Sequence, residues 1–64
     1  MTYETTTSSM FEKIEFANGI LTVYMRNGKN YSYHAEFSDY LQFKQAASAG
    51  SYYNQNIKNK LKRI

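Results

Sequence analysis

Two Asn-Gly pairs, Asn18-Gly19 and Asn27-Gly28, interrupt a 64-residue chain that has no proline. Asn and Gly both tolerate positive φ, so such a pair between apolar alternations marks a tight hairpin turn. The runs around the two pairs are MFEKIEFA, ILTVYMR and KNYSYHAEF. They predict a three-stranded antiparallel meander, and no proline argues against any of the strands.

The first turn fixes a register. With two turn residues, Ala17 faces Ile20, Phe16 pairs with Leu21 and Ile14 with Val23. Phe16, Leu21, Ile14 and Val23 then share a face with Met25, which is the core side. Lys13, Glu15, Thr22 and Tyr24 take the opposite, solvated face.

The second turn admits two registers. A two-residue turn at Asn27-Gly28 pairs Arg26 with Lys29 and sends Tyr31 and Tyr33 to the outer face. They would form an aromatic shelf there, opposite Tyr24 and Thr22. A three-residue loop of Arg26, Asn27 and Gly28, with Gly28 left-handed, pairs Met25 with Lys29 instead. That slip of one residue turns Tyr31 and Tyr33 inward and leaves Ser32 and His34 facing water. Burying a large side chain gains about 1.5–3 kcal/mol, whereas burying Ser and His demands a partner for each polar group. The energetics favour the three-residue loop.

Size sharpens that preference. A domain of about 60 residues buries only about 60% of the surface that its unfolded chain exposes. There is no cysteine, so neither a disulfide nor a thiolate–metal staple can help. Seven Tyr and four Phe are the available substitute. Residues 1–9, MTYETTTSS, are polar and rich in Thr and Ser and read as a flexible arm, with one domain over 10–64. The absence of cysteine and of an apolar leader predicts a cytoplasmic protein, and no run is long enough to span a membrane.

The second half reads as helical. Ser38 is a plausible N-cap with Asp39 in the first turn, and Tyr40, Leu41, Phe43, Ala46 and Ala47 follow at helical spacing. Gly50 is a natural stop. A second helix is expected from Ser51 to about Leu61, with Tyr53, Ile57 and Leu61 on one stripe. Asn54, Asn56 and Asn59 are weak helix formers, so that helix must rely on packing. The expected fold is α+β, a three-stranded meander followed by two helices on one sheet face.

Charge is unevenly spread. Residues 1–39 carry all five acids against Lys13, Arg26 and Lys29. Residues 40–64 carry Lys44, Lys58, Lys60, Lys62 and Arg63 and no acid. A one-sided basic segment attracts polyanions, although cations at a helix end also stabilise its dipole. Catalytic chemistry is poorly supplied. His34 is the only histidine, and Ser32 beside it has no acid placed by sequence to orient the imidazole. The three glycines stand singly, so no phosphate-cradling loop exists. No metal-ligand spacing appears either, and neither a catalytic residue nor a cofactor is assigned. What remains is aromatic rings interleaved with cations, the combination that recognises single-stranded nucleic acid.

The stretches SSMFEKIEF, GILTVYMRNG, the central Tyr-x-Tyr YSY and SAGSYYNQNIK together resemble the KTSC domain family. That small domain occurs at the C-terminus of some lysyl-tRNA synthetases and as stand-alone bacterial proteins. The resemblance covers roughly residues 8–61. Gly50, Tyr52, Asn54 and Ile57 are its most specific part. The chain departs from the pattern in having no proline before the first helix, where Glu36, Phe37 and Ser38 stand. It also has Lys58 where Arg is expected, which removes a bidentate phosphate donor. The resemblance implies RNA as a ligand and names no catalytic residue.

The expected function is therefore a small non-enzymatic RNA-binding module. Lys58, Lys60, Lys62 and Arg63 attract the backbone, Arg26 and Lys29 assist, and Tyr52 and Tyr24 stack on bases. Asn54 either contacts the ligand or satisfies backbone groups at the turn between the helices. The rival class is a protein–protein modulator of phage or mobile-element type that binds one host partner; a third is a small-ligand binder. A monomer or a small homo-oligomer fits each of them.

Overall fold

The structure is a computed structural model that describes residues 1–4 and 9–64. In chain order it comprises β1 (Thr2–Glu4), β2 (Phe11–Ala17), β3 (Ile20–Met25), β4 (Asn30–His34), α1 (Phe37–Gln45) and α2 (Ala49–Tyr52). A π turn, Tyr53–Ile57, continues α2 without a break. The strands form one antiparallel sheet in the order β1-β2-β3-β4.

The sheet has four strands where three were expected. The extra one comes from the segment read as a flexible arm. Thr2, Tyr3 and Glu4 pair with Glu15, Ile14 and Lys13 of β2, and the Phe16 amide donates to the Met1 carbonyl at 2.8 Å. Tyr3 packs against the core, and this aromatic ring in an otherwise polar segment is what docks the strand. Residues 5–8 of the expected arm lie outside the described residues.

The first hairpin has the expected two-residue turn. Ala17 faces Ile20, Phe16 faces Leu21 and Ile14 faces Val23. Asn18 and Gly19 have φ of 53° and 76°, both left-handed as the tight turn requires. Further along β2 the register shifts between Phe11 and Lys13. Strict alternation from Ile14 would put Glu12 inside and Phe11 outside. The bulge reverses this, so Phe11 is fully buried and Glu12 is exposed.

The second hairpin adopts the three-residue loop. The Met25 amide donates to the Lys29 carbonyl at 2.7 Å, and the Gly28 amide donates to the Met25 carbonyl at 3.1 Å. Gly28 has φ of 90°, and the Asn27 carboxamide oxygen accepts from the Lys29 amide at 3.0 Å. Tyr33 therefore faces Leu21 and Tyr31 faces Val23. Tyr33 is buried and Tyr31 half-buried, whereas His34 is exposed.

The helices differ from expectation at their ends. α1 is capped at Glu36 rather than Ser38, and the Asp39 carboxylate accepts from the Glu36 amide at 2.8 Å. Asp39 thus stands three residues after the cap, where it satisfies an amide and meets the positive end of the helix dipole. α2 starts at Ala49 with Ser48 as N-cap, so Gly50 opens that helix instead of closing α1. The expected helix to Leu61 ends at Ile57. The asparagine-rich sequence gives way to a wider turn in which the Lys58 amide donates to Tyr53 at 2.8 Å, and the Asn59 carboxamide donates to the Asn54 carbonyl at 2.7 Å. The chain then runs back along β4. Arg63 bridges Tyr33, the His34 amide donates to Lys62 at 2.9 Å and the Ile64 amide donates to Ser32 at 2.9 Å. The basic residues 58–63 are therefore a turn and an extended edge, not a helix.

The core comprises Phe11, Ile14, Leu21, Val23, Tyr33, Tyr40, Phe43, Tyr53 and Ile57. Phe11 is its centre, edge-on to Phe43 at 5.5 Å and to Tyr53 at 5.1 Å between ring centroids. Such pairs add about 0.5–1.5 kcal/mol each beyond their buried area, which is how rings stand in for staples. The Tyr33 and Tyr53 hydroxyls lie 2.5 Å apart and share a hydrogen bond between sheet and helix.

Two outcomes follow for this pair. Tyr33→Phe or Tyr53→Phe alone strands one buried hydroxyl and is expected to destabilise by about 1–3 kcal/mol, while replacing both is nearly neutral. A denaturant double-mutant cycle measures this, and equal additive losses would contradict it. Burial first, and then the bond to Tyr33, hold the Tyr53 phenol above its ordinary pKa of 10.0. Above about pH 10 the unfolded chain loses this proton while the folded one keeps it, so stability is full below that pH and falls as pH rises past it. Tyr24, Tyr40 and Tyr52 are raised as well, so thermal melts between pH 8 and 11.5 should show a shallower fall, not a later one, in the double Phe variant.

Candidate nucleic-acid interface

Tyr31 lies on the helix-covered side of the sheet, yet it is only half-buried. It lines three adjoining grooves of about 500, 300 and 360 Å³. Met10, Met25, Tyr33 and Tyr53 line the largest with it, and Lys58 and Arg63 supply the charge there. Arg26 and Lys29 line the second, and Arg63 again lines the third. Four cations thus surround one accessible aromatic ring, and among the described residues no Asp or Glu lines any of the three grooves.

Each cation is placed by a different local cause. Arg26 and Lys29 flank the left-handed loop of the second hairpin. Lys58 ends the π turn. Arg63 is delivered by the segment that pairs with the edge of β4, and its guanidinium carbon stands 5.2 Å from the centre of the Tyr31 ring. That is within cation–π range and orients the guanidinium against the groove wall.

The other expected site residues fall elsewhere. Tyr24 is on the opposite sheet face, with its hydroxyl donating to Glu15 at 3.2 Å and Lys13 lying 4.7 Å from its ring centre. Partial burial, then Glu15, raise its pKa. Tyr52 was expected to stack on a base. Instead it stacks on Phe43 at 5.7 Å and donates to Gln42 at 3.1 Å. Burial, then the charge of Asp39, raise its pKa. Asn54 is exposed and lines a separate groove of about 490 Å³ with Tyr3, Lys44 and the Ala46–Ser51 turn. Its backbone carbonyl, held by Asn59, closes the helix end. Lys60 and Lys62 are exposed and line none of these grooves.

The sequence offered Tyr31 a binding role only in the two-residue register, where it would join an outward shelf, and offered none to Met10 or Met25. The register of the second hairpin was the available signal. Once Tyr33 is the buried ring, Tyr31 stands one pair nearer the open end of the strand, where the Val23 position gives way to the loop. The methionines add soft, adaptable walls that no pattern announces.

Among the described residues, no group of three or more His, Cys, Asp or Glu could hold a metal ion. No helix among them is long and apolar enough to cross a membrane. No curated protein and no solved structure gives a significant match to the chain. The KTSC domain does match, over residues 7–60. That span takes in β2 to β4, both helical segments, the Tyr-x-Tyr at Tyr31 and Tyr33 and three of the four groove cations. The chain belongs to the KTSC domain family.

Proposed function

We propose that this domain is a non-enzymatic binding module for single-stranded nucleic acid, RNA before DNA. The observation that carries the reading is the half-buried Tyr31 ring set among Arg26, Lys29, Lys58 and Arg63, in grooves that no acidic side chain lines among the described residues. Unstacked bases bind aromatic faces and guanidinium planes, and cations track the phosphates. The preference for RNA follows the company that the family keeps with lysyl-tRNA synthetases. Lys60 and Lys62 add attraction at longer range without shaping the site.

The reading fixes a salt dependence. Contact with three or four phosphates of a single strand gives a slope of about −2 to −3 in log K against log salt. Anisotropy titrations with a labelled single-stranded RNA measure it. Arg63→Ala and Lys58→Ala should each flatten the slope by about 0.7. Tyr31→Ala should weaken binding by about 1–3 kcal/mol, and Tyr24→Ala on the far face should leave it unchanged. A flat salt dependence, or equal effects of Tyr24 and Tyr31, would sink the proposal.

A further inference from the structure

The Tyr33 and Tyr53 hydroxyls carry two hydrogens, and the bond between them uses one. The other is left for a further acceptor. Both residues are 3% exposed, and both line the groove of about 500 Å³ that Lys58 and Arg63 also line. Each hydroxyl already has the other as partner, and the spare hydrogen is what the pair can offer to an oxygen bound in this groove. Three kinds of donor converge on it: a guanidinium, an ammonium and a phenol. An internal phosphodiester offers two non-bridging oxygens and one negative charge. A phosphomonoester offers three terminal oxygens and a charge of about −1.5 to −2. The donor set matches the second better, since charge-assisted bonds to Arg and Lys strengthen with the acceptor's charge. The groove volume lies within the range of single small-ligand sites, and Met10 and Met25 supply an apolar wall against which one base can lie.

We infer that this groove holds one unpaired nucleotide bearing a phosphomonoester, whose phosphate is gripped by Arg63, Lys58 and the Tyr33–Tyr53 hydroxyl pair while its base lies against Tyr31 and the methionines. The inference rests on the nucleic-acid reading of the same groove and deepens it from strand binding to recognition of a phosphorylated terminus. The same chemistry is offered by a free nucleoside monophosphate, and the arms of the test separate the two sources.

The test compares one single-stranded RNA oligonucleotide in three forms: 5′-phosphorylated, 3′-phosphorylated and without a terminal phosphate. A nucleoside and its monophosphate are titrated alongside at the same ionic strength. One phosphorylated strand is expected to bind at least about tenfold tighter than the unphosphorylated one. Tyr33→Phe or Tyr53→Phe alone keeps that preference, because the surviving phenol still has a hydrogen to donate. The double Phe variant weakens it, while melting confirms that the variant remains folded, and adding Arg63→Ala and Lys58→Ala abolishes what is left. A monophosphate that binds as tightly as the phosphorylated strand assigns the site to free nucleotide; a much weaker one assigns it to strand ends. Equal binding of all three strands overturns the inference and leaves the strand-binding function standing. A preference undiminished in the double variant also overturns it. If no strand binds at all, the proposed function itself fails.

Discussion

The pairing of Leu21 with Tyr33 and of Val23 with Tyr31 is the constraint on which the rest of the molecule depends. It follows from a loop of three residues rather than two, closed by Gly28 at φ of 90°. A slip of one residue would turn both tyrosines outward and bring Ser32 and His34 in. Tyr53 would then lose its hydroxyl partner, and the helix its polar tie to the sheet. The same register leaves the outward amide of His34 and the carbonyl of Ser32 for residues 62–64, and so places Arg63 on Tyr31. Core, edge and groove are consequences of one turn.

A cysteine-free domain of this size holds together through rings in contact. Phe11, Phe43, Tyr33 and Tyr53 form a chain of close contacts that runs from strand to helix. Phe16, Phe37 and Tyr40 form a second group at the start of α1. Tyrosine serves such a core because its ring fills space while its hydroxyl reaches a partner. It also means that ring count alone says little about binding. All seven tyrosines already touch a ring, a cation or a hydrogen-bond partner within the chain.

Both hairpins, their registers and the inward faces were legible because Asn-Gly pairs and apolar alternation act locally. β1 was not legible. Its three residues are polar apart from Tyr3, and only β2's open edge and the core beneath supply a reason for a strand there. The bulge at Phe11 could have been read from the break in alternation, since Glu12 cannot take a core position. The basic end misled for a physical reason. Lys58, Lys60, Lys62 and Arg63 fit a helix face, but Asn54, Asn56 and Asn59 hold a helix weakly, and the unpaired edge of β4 competes for the chain. Of the expected site residues, Arg26, Lys29, Lys58 and Arg63 converge on one place. Tyr24, Tyr52 and Asn54 lie elsewhere, because convergence depends on long-range packing that spacing does not report.

The proposed nucleic-acid interface centres on Tyr31, on the helix-covered side of the sheet. Amide chemical-shift mapping during titration with a short single-stranded RNA tests it most directly. Binding there is expected to concentrate shifts at residues 29–32, Lys58 and Arg63, with Lys13, Thr22 and Tyr24 unmoved. Shifts centred on Lys13 and Tyr24, or on the Ala46–Ser51 turn and Asn54, would contradict it.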